Sequence, residues 1–277
     1  MLTDEQNAWL DALVCQRLSA DENNDTLRLE FKNDAVESLM DFIGHHDTLT
    51  KDASGEIAVY VVKENGKIIA FFSLQCGMIY EKIVSEEDLK IYRLFKEYSD
   101  SGGKGVKDER LGMYQALNNM SDSELSRRMM DIETRLHDVA PKKNDEQRSG
   151  ESDDVTLVRK TVPAIEVVHL CRAEDYDGDF YNLFPGKRLG TVLFMAKAVK
   201  IISDVTKLVG CKYVYLFAVT DERDNKLVAH YQDYFGFRPN PGYGVNKGLK
   251  ASGCLFMAQS VAELMERAKE YFTESEV

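Results

Sequence analysis

The sequence predicts an α/β fold with a mixed central sheet flanked by helices. Three observations carry that prediction. Two β-branched and aromatic runs flank Asn65-Gly66, the strongest short hairpin signal available. Two nearly continuous apolar stretches, 164–171 and 211–219, lie on either side of an amphipathic helical stretch. Strand, helix, strand in that order is a βαβ-like unit with parallel strands. Between hairpin and unit sits a long charged, helix-forming segment, read as an insertion after the third strand. The chain then divides into 1–84, an N-terminal half; 85–156, a helical insertion with a polar linker; and 157–277, a C-terminal half.

The elements follow in order. "TDEQNAWLDALVCQRL" opens with Thr3 as N-cap and Gln6 three residues later, a capping box. Trp9, Leu10, Leu13, Val14 and Leu18 follow at helical spacing. "TLRLEFK" alternates Leu27, Leu29 and Phe31 with polar residues and reads as a first strand. "DAVESLMDFIG" reads as a short helix closed by Gly44. The hairpin comes next. "SEEDLKIYRLFKEYSD" and "SDSELSRRMMDIETRLHDVA" are capped by serines and have apolar positions at helical spacing, with a glycine-rich loop between them. "PKKNDEQRSGESDD" has the composition of a mobile linker.

Order returns with "TLVRKTVPAIEVVHLCRAEDY", a buried central strand. The helix "LGTVLFMAKAVKIISDVTKLVG" carries Leu189, Val192, Leu193, Ala196, Val199 and Ile202 as its buried stripe and stops at Gly210. "CKYVYLFAV" is the parallel strand. "NKLVAHYQDYFGF" is a helix stopped by Gly236, "SGCLFMAQS" a late strand and "VAELMERAKEYF" a last helix.

Composition narrows the function. The 277 residues carry a formal net charge of −12. That argues against nucleic acid as a partner and favours a cationic one, because phosphate neutralisation needs clustered Lys and Arg. No apolar run approaches the ~20 residues that span a bilayer, and no basic leader precedes the first apolar stretch, so the expectation is a cytoplasmic protein with no membrane anchor. Five scattered cysteines form no CxxC pair, and His45-His46-Asp47 is the nearest approach to a ligand set; adjacent residues rarely converge, so no metal is expected.

"FPGKRLGTVLF" places two glycines and two cations ahead of a helix. Unpaired N–H groups and the positive dipole end at a helix start suit phosphate oxygens. Taken with the hairpin, with "VPAIEVVHLCRAEDY" and with "LVAHYQDYFGF", the element order resembles the GNAT family of acyl-CoA-dependent N-acyltransferases. The resemblance covers 57–80 and 157–260. It implies a GNAT-like fold and direct transfer of an acetyl group from acetyl-CoA to a primary amine, on a small molecule or a protein. It implies that the insertion covers the acceptor site or builds a homodimer face.

The same resemblance implies the site residues. The pyrophosphate loop and following helix are Gly186, Lys187, Arg188, Leu189, Gly190 and Thr191. The family's loop, Q/R-x-x-G-x-G/A, maps onto 185–190 and matches only at Gly190; Arg188 stands at the first glycine. Main chain at Leu170, Cys171 and Arg172 supplies the oxyanion donor and cofactor contacts. Tyr231 is the leaving-group acid, with Tyr234 as the alternative; Tyr231 precedes Gly236 by one residue more than is usual. Glu166 is the base, or a strand-end glutamate in a salt bridge; alternation puts His169 on the opposite face as a satisfied core histidine or a substitute base. Asn225 is a cofactor contact, or with Asp224 a helix cap. Two other readings stay within the resemblance: a catalytically degenerate CoA- or partner-binding protein, and an acetyltransferase toxin acting on aminoacyl-tRNA.

Overall fold

The structure is a computed structural model, and it describes residues 2–82, 86–100, 109–137, 158–220, 226–239, 243–244 and 253–273. Thr3 caps α1 (Asp4–Ala12): Gln6 N–H donates to the Thr3 hydroxyl at 3.2 Å and Thr3 N–H donates to Gln6 Oε1 at 2.9 Å, closing the capping box. The helix stops earlier than its apolar spacing predicts. Leu13 is extended, and β1 (Val14–Arg17) pairs antiparallel with the hairpin, Val14↔Lys63 to Arg17↔Tyr60.

The segment expected as a first strand is a helix, α2 (Asn23–Glu30). Its alternation was misleading because Leu29 is 64% exposed, while Asn24 and Arg28, four apart, are buried. Arg28 Nη1 donates to the carbonyls of Ile43 at 2.7 Å and His45 at 2.9 Å, at the end of α3 (Glu37–Gly44). Tertiary capping by a buried guanidinium thus overrides a two-residue period. Gly44 remains inside α3 rather than closing it. His45 ends that helix and caps the next, α4 (His46–Ser54), by accepting Asp47 N–H at Nδ1. His45, His46 and Asp47 lie close together on this exposed turn.

The hairpin is as expected. β2 (Ala58–Glu64) and β3 (Lys67–Lys82) turn at Asn65 (φ 49°) and Gly66 (φ 82°), the positive pair that a two-residue turn of this hand requires. Then follow α5 (Glu86–Asp100), α6 (Glu109–Leu117) and α7 (Asp122–His137). The first and last match the charged segments; α6 has no counterpart in the sequence reading. These helices form a separate compact unit, 80–161 with 241–244, around Ile91, Leu111, Leu125, Met129 and Ile132. Asp88 fastens it by accepting from Tyr114 Oη at 2.6 Å and Arg128 Nη2 at 3.0 Å. The linker 138–157 lies outside the described residues.

The other unit holds the rest. β4 (Val158–Arg172) leads through α8 (Phe180–Leu183) to one long helix, built as α9 (Leu189–Leu193), a π-helical turn (Phe194–Ala198) and α10 (Val199–Val209). Gly210 (φ 67°) stops it. β5 (Tyr213–Val219), α11 (Lys226–Asp233), β6 (Arg238–Pro239), β7 (Tyr243–Gly244), β8 (Cys254–Ser260) and α12 (Val261–Thr273) complete the chain. The sheet order is β1-β2-β3-β4-β5-β8-β6, with β7 beside β3. β4 and β5 are parallel and the other registered pairs antiparallel, so the sheet is mixed. One cluster, with Val192, Phe194, Ile202, Val214, Leu216 and Leu264, packs the long helix and α12 on the sheet; a second, with Phe31, Ile43, Val59 and Phe71, packs the N-terminal helices on it. No described helix is long and apolar enough to cross a membrane.

Asp52 ties the N-terminal helices to the sheet. Its carboxylate, 1% exposed, accepts from Arg17 Nε at 2.6 Å, Val59 N–H at 2.7 Å and Ser19 N–H at 2.8 Å. Replacing Asp52 by Ala strands buried donors, so unfolding in urea should show a loss on the order of 3 kcal/mol with an unchanged m-value. A loss below about 1 kcal/mol, the size of an ordinary surface change, would show that this carboxylate is not structural.

Candidate active site

The βαβ unit decides where a ligand can enter. β4 and β5 pair at Ala164↔Tyr213, Ile165↔Val214 and Glu166↔Tyr215, and there the register stops. Both strands run on, β4 to Arg172 and β5 to Val219. Each is committed to its outer neighbour. β5 pairs with β8 from Tyr213↔Ser260 to Val219↔Cys254, and Ala173 N–H just beyond β4 donates to Ile69 O of β3 at 2.8 Å. The strands therefore part beyond Glu166, leaving facing backbone edges that need another partner.

The start of α9 opens beside this gap. Its N-cap, Arg188, makes no side-chain cap, so the helix supplies no acceptor for its first N–H groups. Thr191 is 1% exposed, and its hydroxyl is the one described buried side-chain atom with no hydrogen-bond partner. A Cβ built on Gly190 meets nothing within 4 Å, so that position faces open space. A cleft of about 490 Å³ results. It is lined by Leu170, Cys171 and Arg172 from β4, by Lys187 to Thr191, by Tyr181, and by Leu227, His230 and Tyr231 from α11.

Most of the residues singled out from the sequence thus meet in one place. Neither Gly186 nor Glu166 lines the cleft; the φ of 75° at Gly186 serves the turn before it. Asn225 lies outside the described residues. Tyr181, Leu227 and His230 are additions. His230 adjoins Tyr231 in the sequence, but only the α11 geometry turns both toward the loop.

Both loop cations rest on neutral partners. Lys187 Nζ donates to Tyr271 O at 3.0 Å and lies 4.4 Å from that ring's centre. Arg188 Nη1 is 3.1 Å from His230 Nδ1, with its guanidinium carbon 5.0 Å from the centre of the Tyr234 ring. Tyr231 packs against Phe235 and Phe237 at 5.7 and 6.3 Å between ring centres. Burial pushes its hydroxyl up to about 12, so at neutral pH it can only donate a proton. Burial also pushes the Cys171 thiol up to about 11, which keeps it a thiol.

Glu166 stands at the last paired position, where the gap begins. Its Oε2 accepts from Tyr215 Oη at 2.8 Å. Burial raises its carboxyl above the usual range, and the tyrosine bond opposes the rise. Tyr215 also explains Gly77: a Cβ there would lie 2.1 Å from the tyrosine oxygen. His169 differs from expectation in one respect. Ile165 and Val167 pack in the first cluster, Val168 and Cys171 in the second, and Leu170 returns to the first. Alternation slips once, so His169 and Glu166 share a face rather than opposing each other. His169 stacks on Phe42 at 3.8 Å, and its Nδ1 is 2.7 Å from Ser73 Oγ, a satisfied core histidine.

The chemistry of these donors fits a diphosphate. The helix mouth and two cations without carboxylate partners among the described residues line the cleft, and Thr191 beside them has a buried hydroxyl without a partner.

No family model and no curated protein matches the chain. Among solved structures, a point mutant of the AtaT toxin is 11% identical and covers 92% of each chain at a TM-score of 0.49. AtaTR bound with AcCoA is 13% identical, covering 95% of this chain and 99% of its own at 0.47. A point mutant of KacT is 9% identical, covering 92% and 98% at 0.47. Likeness this shallow assigns neither activity nor partner.

His169 makes folding pH-dependent. Burial holds its pKa down at about 4, against 6.5 for an ordinary histidine. As pH falls below 6.5 the unfolded chain protonates first, so stability is lost between about pH 6.5 and 4 and is fully present above. From pH 7 to 4 the wild type should lose about 3 kcal/mol more than His169→Gln in urea unfolding. Parallel stability curves for the two proteins would remove His169 as the cause.

Proposed function

We propose that this chain transfers an acetyl group from acetyl-CoA directly to a primary amine. The supporting observation is the parting of β4 and β5 over an uncapped helix mouth, with a buried, unpartnered Thr191 hydroxyl inside it. In this reading the amides that open α9, with Thr191, Lys187 and Arg188, hold the diphosphate. The edge of β4 at Leu170 to Arg172, where the Arg172 carbonyl also accepts from Asn33 Nδ2 at 2.9 Å, takes the pantetheine arm and steadies the carbonyl oxygen as it becomes an oxyanion. Glu166 receives a proton from the acceptor ammonium, a task suited to a carboxyl that burial makes more basic than usual.

The amine nitrogen then attacks the thioester carbon. The C–N bond forms, the C–S bond breaks, and the electron pair leaves on sulfur. Tyr231 donates its hydroxyl proton to that thiolate and is reprotonated by the proton the nitrogen sheds. One proton per turnover passes through Glu166 to solvent. Cys171, buried and held as a thiol, is not suited to carry an acyl intermediate, which favours direct transfer.

Titration calorimetry with acetyl-CoA, followed by free-thiol release against small amines, a lysine peptide and an aminoacyl-tRNA, tests the proposal. Absence of acetyl-CoA binding overturns it. Binding without thiol release on any acceptor leaves the catalytically degenerate alternative. Tyr231→Phe should lower kcat about a hundredfold while the acetyl-CoA Kd holds; unchanged turnover would remove the tyrosine from the reaction. Thr191→Val should weaken acetyl-CoA about tenfold and leave Tm level or raised, because it deletes a buried polar atom that the free protein does not satisfy. Equal affinity would mean the hydroxyl meets no ligand.

A further inference from the structure

We infer that His230 is an anion-binding residue of the cleft: in the free protein its neutral imidazole holds Arg188 at the rim, and when a diphosphate binds it takes up a proton and becomes a second donor. This rests on the acyl-donor reading only for the identity of the ligand.

The geometry dictates the protonation state. A guanidinium offers N–H donors and no acceptor. His230 Nδ1, 3.1 Å from Arg188 Nη1, must therefore be the acceptor, with the ring proton on Nε2. A charged imidazolium in the same position would set two donors against each other. The arrangement is built from both sides. Arg188 comes from the loop and is also held over the Tyr234 ring. His230 comes from α11 and is packed by Tyr234, Phe235 and Tyr231 at 4.8, 5.2 and 6.0 Å between ring centres. Both residues line the cleft into which Gly190 and Thr191 open.

The charges near His230 are Arg188 on the loop and Asp233 on its own helix. Burial first, then Arg188, hold its pKa below 6.5, with Asp233 opposing. Arg172 and Lys187 are the other cations of the cleft. A diphosphate drawn to the helix mouth offers Arg188 better acceptors than an imidazole. Once Arg188 turns to it, Nδ1 is left beside a negative group, where the charged ring is favoured. The same exchange accounts for an arginine at a position where the family loop has glycine. In the free protein His230 and Tyr234 hold Arg188 at the rim.

The sign follows. Ligand raises the pKa of His230, so binding takes up protons near and below neutral pH, and affinity rises as pH falls. The probe is dephospho-CoA, whose diphosphate diester keeps its charge between pH 6 and 8. Calorimetry at pH 6.5 in buffers of different ionisation enthalpy should show proton uptake by the wild type and none by His230→Gln. The Kd of His230→Gln should be about tenfold weaker at pH 6.5, the worth of one charge-assisted bond, and approach the wild-type value at pH 8. Wild-type binding without proton uptake, or equal uptake by the variant, overturns the inference. A histidine Cε1–H NMR titration of the wild type gives the same answer without a variant: one of five histidines should titrate higher with ligand, and no change defeats the idea. Inorganic pyrophosphate, run in parallel, separates the two readings. Pyrophosphate binding with a proton uptake that His230→Gln lacks, but no binding of dephospho-CoA or acetyl-CoA, keeps His230 as an anion ligand and removes the acyl donor; neither probe binding removes both.

Discussion

Two parallel neighbours that cannot stay together set the character of this fold. β4 is bound to β3 and β5 to β8, each to near its end, and those commitments diverge. Only three residue pairs close between them. Past Glu166 the sheet must leave backbone edges unpaired or accept a foreign partner, and an unpaired edge in a protein interior costs free energy. The helix joining the two strands begins at that opening, because a right-handed crossover returns it across the same face. The gap, the helix mouth and the α11 side chains therefore arise from a single topological conflict.

The electrostatics suit such an opening. The protein is strongly acidic, yet neither Lys187 nor Arg188 pairs with a carboxylate among the described residues. A carbonyl oxygen, an imidazole nitrogen and two aromatic faces hold them. An arriving anion need not break an ion pair to recruit them, so little of its binding energy goes into displacement. The acid and base candidates are separated by the same geometry. Tyr231 is enclosed by phenylalanines and can only give a proton; Glu166 sits half-buried where the strands part and can accept one.

Much of this was legible in the sequence, and the failures have physical causes. The hairpin at Asn65-Gly66, the two apolar strands and the stops at Gly210 and Gly236 were readable because each depends on a local backbone requirement. The loop and the β4 edge are singled out by resemblance alone, and the structure brings 170–172 and 187–191 to one cleft. The first strand was misplaced because α2 is held by Arg28 reaching the carbonyls of Ile43 and His45, a contact with no local signature. β1 was hidden inside a good helical pattern that pairing with β2 cut short. His230 has no signature in the sequence because its partner, the Arg188 guanidinium, lies 42 positions away. The relation of Glu166 to His169 was misjudged because one slip in β4 inverts every orientation after it.

The π-helical turn at Phe194–Ala198 has a consequence of its own. A wider turn carries an extra residue, and each residue of an α-helix advances the azimuth by about 100°. Within it, Lys197 spans to the carbonyls of Leu10 and Leu13 at 2.6 and 3.3 Å, pinning the widened segment to the end of α1. The rear half of the helix, fixed by Ile202 in the core, is thus out of phase with the front half that presents Gly190 and Thr191. Shortening the chain by one residue here would restore a regular spiral and swing the opening amides about a quarter-turn around the axis, away from the space between the strands.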